Sequence, residues 1–210
     1  MQTVETTKFF RVGNNLSLDF VNTDIVDKSE KVDLLKSVAD LAAWAAAMNL
    51  IDAANAAKLG KDWNARTDNE KLLVEARGFR QTLREICERV VGGANLRQLQ
   101  LDALNNYLRE KSDGFAKIEK GEDGFEKKFL VNFREPIQIL RVVAESATDL
   151  LCFGNLDYLR KCEGAACVLY FYDTTKNHKR RWCSMSGCGN RAKAAAFYER
   201  KKLKVRAESD

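Results

Sequence analysis

Hydrophobic positions recur at helical spacing through much of the first 155 residues. Leu34, Val38, Leu41, Ala45 and Met48 fall on one side of a helix that Asp33 is placed to cap and that runs through Leu50. Asp52 is placed to cap a second helix, ending near Trp63. A longer helix opens at Thr67-Asp68 and carries Leu72, Leu73, Ala76, Phe79, Leu83, Ile86 and Val90 on its apolar face; Gly92-Gly93 stops it after Val91. Asn95 starts another that runs to the region of Lys111. Short connections favour antiparallel neighbours, so this is the pattern of a helical bundle. The period then changes. Gly121-Glu122-Asp123-Gly124 interrupts the 115–133 segment, and Phe129, Val131 and Phe133 alternate after it, which predicts a β-hairpin. Pro136, the only proline, suits the first turn of a helix with Ile137, Leu140, Val143, Ala144, Ala147, Leu150 and Leu151 on its apolar face, ending near Gly154.

One apolar run is ambiguous by period. Leu16, Leu18 and Phe20 alternate as in a strand, whereas Leu16, Phe20 and Val21 fit a helical turn. Asp19, Asn22 and Thr23 are polar residues inside this run. Capping and internal hydrogen bonding are their ordinary use, with a ligand pocket as the functional alternative.

The C-terminal pattern is different again. Cys162 and Cys167 form one pair and Cys183 and Cys188 another, each with four residues between its members and fifteen between the pairs. Zinc takes four soft ligands in a tetrahedron, and structural sites supply them as two short-spaced pairs. Four thiolates close the coordination sphere, so one such zinc would hold structure rather than activate water. Residues 168–172 read as a strand, 173–177 as turn, and Arg180-Arg181-Trp182 as a return strand. The Ala-, Lys- and Arg-rich chain from Asn190 reads as a helix. One cysteine pair thus precedes a hairpin and the other opens a helix, the order of a treble-clef finger. Tyr170, Tyr172 and Trp182 read as the core of this small module. The absence of a long linker predicts that the module packs against the bundle.

Composition and charge narrow the chemistry. The 210 residues are 45% hydrophobic and 31% charged, ordinary for a globular chain, with no apolar run long enough to span a membrane and no signal-peptide core at the N-terminus. The expectation is a cytoplasmic protein with reduced thiols, in which cysteine pairs favour metal over disulfide; Cys87 and Cys152 read as small buried hydrophobes. Residues 156–210 hold thirteen Lys/Arg against six Asp/Glu, while the rest of the chain is slightly acidic. This asymmetry points to a phosphate-bearing partner at the C-terminal end. On the predicted helix, Lys193, Arg200 and Lys204 form one basic stripe, Arg191, Lys202 and Arg206 another, and Ala192, Ala196 and Leu203 an apolar stripe for docking. His178 is the only histidine, which leaves no HExxH or His-pair site within one chain, and no Walker or GxGxxG loop occurs. No catalytic residue and no cofactor besides zinc is expected, and the chain does not read as an enzyme.

Arg180-Arg181-Trp182-Cys183-Ser184-Met185 followed by Cys188-Gly189-Asn190-Arg191-Ala192-Lys193 resembles the CGNR zinc-finger family. Leu16-Ser17-Leu18-Asp19-Phe20-Val21-Asn22-Thr23 resembles the start of the ABATE domain that accompanies it, and this favours helix over strand for the ambiguous run. The resemblance implies a bacterial, stress-induced transcription regulator with a zinc- and DNA-binding C-terminus. The resulting expectation is a mainly α protein with a small β component: a helical ABATE-like domain with a β-hairpin over residues 1–155, and a treble-clef-like zinc finger over 156–210. Zinc would be held by Cys162, Cys167, Cys183 and Cys188. Lys179, Arg180, Arg181, Lys193 and Arg200 are the candidates for phosphate contact with double-stranded DNA, and Arg191 for base reading or for tying the finger together. The N-terminal domain would form a homodimer, bind a small-molecule effector, or both. A zinc-stapled protein-interaction module and an RNA-binding protein are the alternatives.

Overall fold

The computed structural model describes residues 8–27, 29–109, 114–121, 124–131 and 133–207, with the backbone alone over 114–131 and 203–207. Asn15 opens the first helix, its side chain accepting the Ser17 and Leu18 N–H groups, and α1 covers Leu16–Val21. The short strands β1 (Asp24–Asp27) and β2 (Glu30–Asp33) pair antiparallel across a turn in which Ser29 takes a left-handed φ of 70°. Helices α2 (Ala39–Ala47), α3 (Ala53–Asn64), α4 (Asn69–Val91) and α5 (Gln98–Leu108) follow. The antiparallel pair β3 (Gly114–Gly121) and β4 (Gly124–Val131) precedes α6 (Ile137–Phe153). A 3-10 turn at Leu156–Tyr158 leads to β5 (Leu159–Lys161) and β6 (Tyr170–Tyr172); a π-helical turn at Met185–Gly189 runs into α7 (Asn190–Ala207). The protein is mainly helical, with three separate two-stranded sheets among the described residues.

Side-chain caps hold the starts of α1 and α3, while α4 opens after Asp68 without a side-chain cap bond. Asp52 accepts the Asn55 N–H at 2.8 Å at the start of α3, and Pro136 occupies the N-cap of α6. Gly93, just past α4, takes a φ of 67°, which favours glycine. Asp33 departs from the expected role. It ends β2 and α2 begins only at Ala39, so it caps no helix through Leu50. Its carboxylate is instead taken by Arg80, at 2.7 and 2.6 Å, and by Arg77 at 2.9 Å. Burial works against ionised Asp33, but the hydrogen bonds and charge of Arg80 outweigh it and hold the carboxyl below its usual range. Helix α5 starts at Gln98 rather than Asn95, and Lys111 lies outside the described residues. Cys87 is buried, whereas Cys152 is exposed because it lies off the stripe of α6 that carries Val143, Ala147 and Leu150.

The main core gathers around α1. Leu18, Phe20 and Val21 are fully buried, and Phe20 meets Trp44 of α2 edge-on at 5.1 Å. Asp19 turns the other way and accepts the N–H groups of Val12 (3.0 Å) and Gly13 (2.7 Å). Gly13 is needed for this approach, since a Cβ there would lie 2.9 Å from both Asp19 Oδ1 and Leu18 Cβ. Burial pushes the Asp19 carboxyl up to about 6 against these two bonds.

Because its folded pKa lies above its unfolded value, ionised Asp19 lowers stability; the cost is absent at low pH and complete above about 6. Asp19→Asn keeps an acceptor for both N–H groups and cannot ionise. Its stability relative to wild type should therefore rise between about pH 4 and about pH 7, by up to roughly 3 kcal/mol. Paired thermal melts across that range check this, since titrations common to both proteins cancel in the difference. A pH-independent gap would contradict it.

Candidate metal centre

The four cysteines arrive on two knuckles. Strands β5 and β6 pair antiparallel, Leu159 against Tyr172 and Lys161 against Tyr170, and the loop between them carries Cys162 and Cys167. The loop is closed by Cys162 N–H to Leu169 O (2.9 Å) and Cys167 N–H to Gly164 O (2.9 Å). The hairpin strands therefore flank the first pair instead of following it. The return segment 179–181 is no strand; the backbone bond that ties it to the first knuckle runs from Glu163 N–H to Arg181 O at 2.9 Å. Between β6 and the second pair the chain winds around the fully buried Asp173, which accepts from Thr175 N, Thr175 Oγ1 and Arg180 N. His178, at a φ of 48°, stacks on Tyr158 at 3.7 Å and sets Nδ1 3.0 Å from the Asp173 carbonyl, so its ring belongs to this loop. Ser184 caps the π-helical turn by accepting the Gly187 N–H, and Cys188 lies in that turn, two residues before α7.

The sulfurs converge. All four Sγ atoms lie within 4.8 Å of one another, with Cys167 to Cys183 at 3.9 Å and Cys183 to Cys188 at 3.6 Å. Zinc–sulfur bonds of about 2.3 Å in a tetrahedron require sulfur–sulfur edges of about 3.8 Å, so the cluster fits. N–H groups are already aimed at the sulfurs: Cys183 N is 3.2 Å and Gly164 N 3.5 Å from Cys162 Sγ, and Arg191 Nη2 is 3.0 Å from Cys188 Sγ. Such donors stabilise thiolates and orient them. A Cβ at Gly164 would stand 3.0 Å from Cys188 Sγ and 3.2 Å from Cys167 Cβ, so this position leaves room for sulfur and nothing more. The thiols by themselves are in conflict. The hydrogen bond with Cys183 draws Cys167 down to about 5, while that same bond to Cys167, with burial, pushes Cys183 up. A dication removes the conflict by permitting all four to ionise. The chain thus holds a zinc finger with four cysteines placed for one zinc ion, whose chemistry when bound is to cross-link the two knuckles. No coordination position is left open for a substrate.

The basic residues split into two groups. Arg180 is turned inward: Nε bonds Trp182 O (3.0 Å), Nη2 bonds Val12 O (2.9 Å) and Cys183 O, and the guanidinium lies 4.1 Å from the centre of the Phe171 ring. Arg181 is exposed but pairs with Glu163 through Nε and Nη2, both at 2.6 Å. Lys179, Arg191, Lys193 and Arg200 are exposed. Helix α7 does not dock through Ala192 and Ala196, as its small apolar stripe suggests. Every residue from Lys193 to Lys202 is exposed, and its neighbour is the π-helical turn that precedes it. The aromatics also divide. Trp182 packs against the finger, whereas Tyr170 and Tyr172 belong to the main core and Phe171 fills the finger. Asn22 and Arg84, with no predicted role in the finger, both bond it. Asn22 clamps the backbone of Tyr170, and Arg84 donates to Val168 O at 3.0 Å. The signal for Asn22 was a polar side chain inside an apolar run; Arg84 lay on an amphipathic helix with nothing to single it out.

Residues 14–154 match the family model ABATE, described as "Putative stress-induced transcription regulator", and residues 158–201 match the CGNR zinc finger. No curated protein matches the chain. The chain belongs to the ABATE family and ends in a CGNR zinc finger, and neither description names an enzyme. Among the described residues no helix is long and apolar enough to cross a membrane.

Purified protein should carry one zinc per chain by elemental analysis. Cys183→Ser should abolish it, because structural zinc contributes roughly 10 kcal/mol or more to such modules. Gly164→Ala should weaken zinc affinity at least about tenfold by crowding Cys188, measured by competition with a chromophoric chelator. Full zinc retention in Cys183→Ser would rule out the four-cysteine set.

Proposed function

We propose that this member of the ABATE family is a zinc-dependent transcription regulator that binds double-stranded DNA through its finger. The observation that carries this is α7. It is an 18-residue helix that leaves the metal centre with its described side chains in solvent. Phe197 and Tyr198 are 57% and 67% exposed on it, although most helical stability in proteins comes from packing against a partner. Its chemistry narrows what that partner is. Arg191, Lys193, Arg200, Lys201 and Lys202 oppose Glu199 alone among the described side chains, and at 100° per residue they flank the stripe of Ala192 and Ala196 on both sides, with Phe197 and Tyr198 among them. That stripe is made of small residues and offers little apolar surface to a protein groove or a second helix. The major groove of duplex DNA surrounds a helix on two sides with phosphates and admits a rod of about 10–12 Å. The deep, narrow major groove of A-form RNA does not.

Within this reading Lys179, Lys193 and Arg200 are the phosphate contacts, joined by Arg181 where phosphate replaces Glu163 as its partner. Arg180 keeps the finger in shape. Arg191 is held by the Cys188 sulfur at the start of α7, which fixes its orientation for base contact. Residues 156–210 form the DNA-binding unit. Regulation, by dimerisation or a small-molecule effector, falls to residues 1–155.

Binding measured by fluorescence anisotropy should weaken steeply with salt, on the order of 100-fold between 50 and 200 mM for four or five phosphate contacts. Lys193→Ala combined with Arg200→Ala should weaken all sequences alike and reduce the salt slope by about two. Arg191→Ala should relax sequence choice by roughly 1–3 kcal/mol while zinc stays bound. Unchanged affinity and salt slope in the zinc-loaded double variant would remove this face as the DNA surface. Capture of an acidic protein or single-stranded RNA instead would favour those partners.

A further inference from the structure

Strand β6 lies between two cores and has a different neighbour on each edge. The carbonyl of Leu169, just before it, and the backbone of Phe171 serve the β5 side, while Tyr170 and Tyr172 turn their N–H and C=O groups away. On that outer edge there is no strand among the described residues. Asn22 at the end of α1 pairs with Tyr170 as a strand residue would, donating Nδ2–H to Tyr170 O and accepting Tyr170 N–H at Oδ1, both at 2.9 Å. Gly13 O accepts the Tyr172 N–H at 2.8 Å. Beside them Arg84 of α4 reaches across. Its Nη2 bonds Val21 O and Asp24 O, each at 2.9 Å, and its Nη1 bonds Val168 O, one residue after the ligand Cys167. Asn22 is 1% and Arg84 8% exposed, so water cannot replace these partners.

We propose that the Asn22 and Arg84 clamps couple the finger to the helical body, so that metal occupancy of the four cysteines sets the local stability of α1 and of the middle of α4. The proposal rests on the zinc reading of the finger. The metal cross-links the ends of the 162–167 loop and holds residues 168–170 in register. When that cross-link is withdrawn, Val168 O and the Tyr170 backbone leave their positions, and in the body the buried Asn22 amide loses its two bonds to Tyr170 and Arg84 loses one of its three carbonyls. The coupling is reciprocal: whatever shifts α1 or Arg84 in the body also shifts the strand that leads from Cys167.

Hydrogen–deuterium exchange on the full chain tests this, with native mass spectrometry recording the bound zinc before and after chelation. Withdrawing zinc should speed exchange of α1 and of residues 79–88 by roughly tenfold or more, while α3, remote from the clamps, stays protected. In zinc-loaded Arg84→Lys, which keeps the charge and the stem but cannot span Val21 O and Val168 O together, the response of residues 79–88 to chelation should shrink several-fold. Asn22→Ala should do the same for α1. Faster exchange confined to residues 159–207 in the wild-type protein would overturn the coupling, as would responses unchanged in both variants. A chain that carries no zinc by mass overturns the metal reading and the coupling with it, and the mass tells that outcome apart from a failed clamp in a zinc-loaded chain.

Discussion

A three-residue strand must bury two faces and satisfy two edges, and much of the protein is arranged around that requirement. Tyr170 and Tyr172 face the helical body and Phe171 faces the finger, because successive strand residues point to opposite sides. A strand so short cannot hold itself. An unsatisfied buried backbone group costs roughly 1–3 kcal/mol, and β5 supplies only one edge. The other edge is closed by the Asn22 amide and the Gly13 carbonyl. The position of α1 follows from this. It is wedged against α4, α6 and β6 with its apolar residues buried and its polar ones turned to the finger and to the segment before it.

Buried and half-buried arginines do the joining between the helices, the short strands and the finger. Arg80 and Arg77 hold Asp33 at the end of β2, Arg84 gathers three carbonyls from α1, β1 and the finger, and Arg180 gathers three more from Val12, Trp182 and Cys183. A guanidinium suits this task because its donors fan out in a plane and its charge strengthens each bond. Positive charge in the finger therefore serves two ends. Arg180 is spent on structure, and what remains for a partner lies at the 173–181 loop and along α7.

The metal centre and α7 differ in how they are held. The centre is enclosed by its own N–H donors and by Arg191, and its second knuckle passes directly into α7 through the π-helical turn. The helix beyond is held at its first turn, and its side chains from Lys193 to Lys202 stand in water. A rigid base with a free, charged rod is suited to a partner that surrounds the rod and recognises it mainly by electrostatics.

Local chemistry was enough for much of this fold. Cap residues, glycine stops and the 3.6-residue period located α3, α4 and α6, and the paired spacing of Cys162, Cys167, Cys183 and Cys188 pointed to a single metal site, because these signals act within a few turns of the chain. The β1–β2 hairpin and the late start of α2 were not legible. Asp33 is a good cap by type, and only the arrival of Arg77 and Arg80 from α4 gives it stronger partners. The same holds for the charges. Arg180, Arg181 and Lys179 are equivalent in a sequence, but one lies over Phe171 among carbonyls, one pairs with Glu163 and one stands in solvent. Residue types and their spacing determined what the finger is made of. Which face of β6 meets which core, and which basic side chains are left free, depended on contacts between residues as far apart as Asn22 and Tyr170, which no local pattern records.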